Sequence, residues 1–227
     1  MRYPPVGVAG ASVVTVIPVS APPRLAAHLR ASGDGPVPLV HRGPDAVYVD
    51  VAGRCVGVVG TRATAVPCAL RTTLTLLPEV VRARVEGGVL HLGEEPLLVG
   101  RYVDVSVPRL PLTGTPGAID VAALVGAGDG LTPYGDDVLC GWLAVTRAAG
   151  ISTPEVDAEV RARASTTTLL SATLLDCAMH GEVIPEFAAW LGGRAPVGVV
   201  ERIGHSSGRG LVEGARLALS GLERVAA

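Results

Sequence analysis

The residues best suited to chemistry gather in three short stretches, each rich in glycine or hydroxyl side chains and each running into a helical pattern. The first is Gly126-Ala-Gly-Asp-Gly-Leu-Thr-Pro-Tyr-Gly-Asp-Asp137. Gly126, Gly128 and Gly130 remove every other Cβ, so the backbone can take positive φ and bring its N–H groups close to a ligand. The spacing makes Thr132 the N-cap of the following helix and Pro133 its first residue. Amides oriented at a helix N-terminus favour an anion. Asp129, Asp136 and Asp137 oppose that preference unless a cation, an arginine or a proton intervenes. Asp136 and Asp137 are therefore candidate catalytic residues, with Gly126, Gly128, Gly130 and Thr132 as candidate substrate ligands. The competing account of the acidic pair is a simple complement to the helix macrodipole, worth about 0.3–1 kcal/mol each.

The second stretch is Ser165-Thr-Thr-Thr-Leu-Leu-Ser171. One of its hydroxyls should cap a helix; Thr167 and Ser171, one turn apart, either line a substrate pocket or bond back to preceding carbonyls. The third is Gly204-His-Ser-Ser-Gly-Arg-Gly210. It repeats the anion-binding pattern and adds His205 as a candidate catalytic group, with Ser206, Ser207 and Arg209 as candidate ligands. Arg209 could equally pair with Glu213 one turn on. A Ser–His–Asp hydrolase is disfavoured, because the side chains of His205 and Ser206 diverge on a turn and no Gly-x-Ser-x-Gly elbow follows a strand. No Asp-x-x-x-Asp or His-x-x-x-His spacing suggests metal ligands, and no cofactor can be assigned.

These groups must be positioned by the elements around them. On the helix after the glycine loop, Asp137, Gly141, Ala144 and Ala148 share one face, and such small residues let a neighbouring element approach and bury the carboxylate. Helix patterns run from Ile119 to Val125, Pro133 to Ala149, Pro154 to Ala164, Thr166 to His180, Pro185 to Leu191 and Gly208 to Val225. Before them the period is that of strands, apart from a short helix over Pro23 to Ala31. Val47, Val49 and Val51 alternate, Ala52-Gly53 turns, and Arg54 to Val59 returns, which predicts a hairpin. Further strands are expected over Val6 to Val19, Leu70 to Leu76, Val89 to Leu92 and Leu97 to Val107. Pro108 to Pro116 reads as a linker. The expected fold class is α+β: a strand-rich domain over residues 1–115, antiparallel or mixed and barrel-like, then a helical domain over 116–227 carrying all three stretches.

With 227 residues the chain can bury a sizeable core. Arg, Asp, Glu or Pro interrupts every long apolar run, so none reaches the roughly 20 residues of a membrane-spanning helix. A net charge of -2 and 3% aromatic content argue against a nucleic-acid surface. All 19 basic side chains are Arg, and Lys, Asn and Gln are absent. Loss of residues with adenine-rich codons reflects base composition, so the arginine bias is given no function. Cys55, Cys68, Cys140 and Cys177 have neither metal nor close-pair spacing and read as reduced core residues of a cytoplasmic protein.

Together the three stretches resemble the family known as DUF2877, which includes the small subunit of oxamate carbamoyltransferase, an enzyme of anaerobic allantoin breakdown. The family pattern is Gly-x-Gly-x-Gly-Leu-Thr-Pro-x-Gly-Asp-Asp, a Thr/Ser helix, then Gly-His-Ser/Thr-Ser-Gly. The chain matches it at Gly126, Gly128, Gly130, Leu131, Thr132, Pro133, Gly135, Asp136 and Asp137, and at Gly204 to Gly208. Arg209-Gly210 departs from it, standing where the better-known subunit has a smaller polar pair. The resemblance implies a carbamoyltransferase-type subunit acting on a small anionic substrate such as carbamoyl phosphate or oxamate. It also implies partner subunits and an oligomeric assembly. The alternative is a non-catalytic subunit whose loops hold an anion or metabolite for a larger enzyme complex.

Overall fold

The computed structural model describes residues 15–225. Its first half runs β1 (Ile17–Ala21), α1 (Pro23–Ala31), β2 (Gly35–Val37), β3 (Leu39–Arg42), β4 (Ala46–Val51), β5 (Arg54–Val59), β6 (Ala69–Thr72), β7 (Ala83–Glu86), β8 (Val89–Leu92) and β9 (Glu95–Tyr102). Then come β10 (Leu112–Gly114), α2 (Val121–Leu124), α3 (Tyr134–Ala148), α4 (Pro154–Arg163), α5 (Leu169–Met179), α6 (Pro185–Leu191), α7 (Val197–Glu201), α8 (Ser207–Leu219) and β11 (Leu222–Arg224). The fold is α+β, as the residue pattern predicts. Most of the strand expected over Val6 to Val19 lies outside the described residues.

Among the described residues nine strands form one sheet, in the order β2-β7-β8-β9-β1-β6-β5-β4-β3. The sheet is mixed, since β1 runs parallel to β9 and β5 to β6 while the other pairs are antiparallel. Its two edge strands, β2 and β3, are consecutive in the chain across Pro38, whose carbonyl accepts from Asp50 N at 2.9 Å. The sheet therefore curls into a nearly closed barrel.

Period-2 alternation sorts the side chains of the central hairpin into two cores. Val47, Val49, Val51, Val56 and Val58 point inward and pack with Leu25, Ala26 and Leu29 of α1. Tyr48, Cys55 and Val59 point outward, into a second core shared with α3, α5, α6 and α8. Gly57 lies between them, and a Cβ there would stand 2.9 Å from the Tyr48 ring and 2.9 Å from Ala69 Cβ. The hairpin turn is Ala52-Gly53, both at positive φ (50° and 77°), with Gly53 N donating to Asp50 Oδ1 at 2.8 Å. That backbone twist matches the twist of the two strands.

Two parts of the sequence reading need correction. Pro108 to Pro116 is not a bare linker: it contains β10, which pairs antiparallel with β11. The last helix accordingly stops at Leu219 instead of running to Val225, because the chain turns back to make that pairing. The barrel and the helices are joined by charge as well as by the second core. Arg24 of α1 binds Asp176 and Glu182, both at 2.7 Å, and Arg54 of β5 reaches Asp176 at 2.5 Å.

Candidate functional site

The glycine loop is organised by Asp136. Its side chain is 1% exposed, with Oδ1 accepting from Gly126 N at 2.9 Å and Oδ2 accepting from the Thr167 hydroxyl. One carboxylate thereby clasps two of the three stretches. Gly126 is required where it stands: its φ is 76°, and a Cβ would lie 2.6 Å from Thr166 O. Thr168 fastens the same two stretches a second time, donating to Leu131 O at 2.6 Å while capping α5 through Ser171 N at 3.0 Å. The cap expected among these hydroxyls is thus Thr168. Thr167 is a loop clamp, and Ser171 is buried in the first turn of α5 at 1% exposure.

The third stretch joins through Ser207, whose Oγ lies 2.9 Å from Thr132 Oγ1. This corrects the expectation for Thr132. Its hydroxyl faces Ser207 across the site and does not cap α3, whose first residue is Tyr134, with Pro133 at the cap position. As the N-cap residue, Pro133 starts the helix through its carbonyl O, which accepts from the Asp136 and Asp137 amides at 3.0 and 3.2 Å.

Asp137 differs from its neighbour. It is 5% exposed, and its Oδ2 is buried without a hydrogen-bond partner. It faces a cavity of about 230 Å³ at the junction of barrel and helices. Burial raises its carboxyl to about 7; the nearby Ser207 hydroxyl pulls against the rise and the Asp136 charge adds to it. A carboxyl near 7 exchanges its proton at neutral pH. The small-residue face of α3 explains the burial. Helix α8 crosses α3 so closely that a Cβ on Gly210 would stand 2.8 Å from Asp137 Cβ, and one on Gly214 would stand 1.8 Å from Val138 O.

The cavity wall includes Leu131, Thr132 and Asp137 from the first stretch, Leu170 and Leu174 from α5, Gly204 and Ser207 from the third, and Leu211 from α8. Tyr48, Thr64, Val66 and Pro67 enter from the barrel side, Glu182, Val183 and Ile184 from the turn between α5 and α6, and Phe187 from α6. That turn is held by Val107 N donating to Gly181 O and Val183 N donating to Val105 O, each at 2.8 Å. Reasoning on the three stretches alone missed Tyr48 and Thr64 of the barrel half and Glu182 between α5 and α6. Glu182, an isolated acid in an apolar run, and Tyr48, a lone phenol among valines, were the available signals.

His205 is exposed and does not line the cavity, though Gly204 and Ser207 on either side of it do. Ser206 sits at the N-cap position of α8 without a side-chain cap bond. Arg209 is exposed and donates to His205 O at 2.9 Å; the ion pair with Glu213 does not form, because Glu213 accepts from Tyr134 Oη at 2.5 Å. Gly128 and Gly130 are exposed at φ 115° and 91°, on the loop leading to Leu131 and Thr132. Among the described residues no three His, Cys, Asp or Glu side chains are grouped to hold a metal ion. None of the described helices is long and apolar enough to cross a membrane.

Residues 124–219 match the family model described as oxamate carbamoyltransferase subunit AllH, in agreement with the resemblance carried by the motifs. The match covers α3 to α8 and so contains all three stretches. No curated protein and no solved structure matches the chain.

Proposed function

We propose that the chain is a carbamoyltransferase-type subunit, with the Asp137 cavity holding the carbamoyl or amide end of the substrate. The observation that carries this reading is Asp137, a buried carboxyl in the wall of that cavity whose Oδ2 has no hydrogen-bond partner. When an acceptor nitrogen attacks a carbamoyl carbon, it must shed a proton while negative charge grows on the carbamoyl oxygen. The ionised Asp137 takes the proton; the Thr132 and Ser207 hydroxyls, bonded to each other, have one proton between them left to donate to that oxygen; and the carbamoyl C–O bond to phosphate then breaks, phosphate leaving as the anion. Exposed amides of the glycine loop, with Arg209, meet the anionic end of the substrate outside the cavity. The word subunit in the family description supports partner subunits, and an oligomeric assembly in the cytoplasm is part of the proposal.

The test is turnover of the reconstituted assembly carrying Asp137→Asn. A fall of about 10²–10⁴-fold is expected, with the limb of the pH–rate profile near 7 removed. Activity within threefold of wild type would overturn the catalytic role.

One observation favours a second reading, a non-catalytic metabolite-binding or assembly subunit: His205, the strongest candidate base in the sequence, stands outside the cavity wall. On that reading Asp137→Asn changes ligand-induced stabilisation or assembly and leaves the partner's turnover intact.

A further inference from the structure

We propose that Tyr48 and Glu182 are the specificity-determining pair of this cavity: the Tyr48 phenol donates to the carbonyl oxygen of the substrate's carbamoyl or amide end, and Glu182 Oε1 accepts from its NH₂. The assignment rests on the reading of the cavity as the place of that end and names what recognises it there.

The two groups come from different parts of the fold. Tyr48 stands on the outward face of β4 and Glu182 in the turn between α5 and α6, and both line the cavity. Each keeps a small open surface, 9% for Tyr48 and 8% for Glu182. Among the described residues neither Tyr48 Oη nor Glu182 Oε1 has a hydrogen-bond partner, and neither atom is sealed in the interior as Asp137 Oδ2 is. Burial, with Cys68 and Cys55 nearby, pushes the phenol up, so it keeps its proton and remains a donor. The carboxylate is the complementary acceptor. Its Oε2 is bound by Arg24 Nη1 at 2.7 Å, which balances its charge and lets Oε1 accept without repelling an anionic substrate.

A carbamoyl or primary amide group carries a carbonyl acceptor and an NH₂ donor on one planar frame, and this pair supplies the complement of each. Tyr48 adds a second donor to the one proton that Thr132 and Ser207 have left. A methyl group in place of the NH₂ would leave Glu182 Oε1 without a partner in a largely apolar wall. A site built around such a bond rejects the analogue that lacks it. The opposite orientation of the substrate is disfavoured, because no Arg, Lys or His lines the cavity to receive its phosphate or carboxylate.

The experiment is calorimetric titration of the reconstituted assembly with two isosteric pairs of anions, oxamate against pyruvate and carbamoyl phosphate against acetyl phosphate. Within each pair only NH₂ becomes CH₃. In at least one pair the NH₂ compound is expected to bind about tenfold tighter or more. Glu182→Gln keeps the shape and the Arg24 contact but turns an NH₂ towards the cavity. It should bring the preference below about threefold by weakening the NH₂ compound alone, whereas a structural loss would weaken both members equally. Tyr48→Phe should weaken both members about three- to tenfold, since both carry the carbonyl. Thermal melts check that the variants fold. Wild type tests the assignment even if Glu182→Gln does not, because no preference in either pair overturns it directly. A preference that survives Glu182→Gln, or a Tyr48→Phe variant that weakens neither member, also overturns it and leaves the cavity reading to the Asp137→Asn turnover. No binding of any of the four compounds overturns the assignment and the cavity reading together.

Discussion

At the scale of single residues, two adjacent aspartates behave in opposite ways. Asp136 has both oxygens engaged, whereas Asp137 has a buried orphan oxygen and a carboxyl raised from 3.8 to about 7. Between those two values the folded chain retains a proton that the unfolded chain has released. Stability from Asp137 is therefore full below about pH 4 and is lost as pH rises through 7. Asp137→Asn should leave stability at pH 4 nearly unchanged and raise it at pH 8 by on the order of 3 kcal/mol, as read by urea denaturation at both pH values. Equal effects at the two pH values would mean that Asp137 titrates normally. For the clamp, Thr167→Val removes a hydroxyl donor from the Asp136 carboxylate and should cost about 1.5–3 kcal/mol in the same assay. A loss under 0.5 kcal/mol would show the clamp to be dispensable.

At the scale of elements, the site depends on α8 lying almost in backbone contact with α3. Gly214→Ala would place a Cβ 1.8 Å from Val138 O, so the helices must separate, at an expected cost of about 2–3 kcal/mol. Separation should also widen the cavity around Asp137 and lower its carboxyl toward the ordinary range, which carboxyl NMR titration would read. Gly198→Ala in α7 is the contrast. Its nearest neighbour is the flexible end of Arg202 at 3.4 Å, so the change should be neutral or stabilising by about 0.5–1 kcal/mol. Matching losses at the two positions would remove the close-approach argument.

At the scale of the whole molecule, barrel and helices share a core and a charge network. Burial pushes the Asp176 carboxyl up, but Arg24 and Arg54 outweigh it and hold the group below its ordinary value. Its contribution is thus present above the unfolded value and is lost as pH falls through the folded one. Asp176→Ala leaves both arginines short of a partner and should cost about 2–3 kcal/mol at pH 7, with the difference from wild type shrinking at acid pH. A pH-independent loss would assign the effect to packing. Because Glu182 lies in both the network and the cavity wall, the same variant should weaken any cavity ligand, a further readout by calorimetry.

What the sequence by itself determined was local. Proline at the first turn and leucines at helical spacing specified α1 over Pro23–Ala31, and alternating valines around Ala52-Gly53 specified the β4–β5 hairpin. The three motif stretches were legible as loops entering helices because glycine, proline and hydroxyl residues act within a few positions of themselves. Closure of the sheet was not legible. The short strands β2 and β7, and the pairing of β10 with β11, satisfy backbone groups across long sequence separations, and no side-chain period announces them. The small residues sharing a helical face with Asp137 marked that carboxylate for burial, but not which element would cover it. Only the docking of α8 supplies the cover. The barrel's share of the wall, Tyr48 and Thr64, is likewise a product of docking: the outward face of a strand becomes a site only when a helical layer covers it.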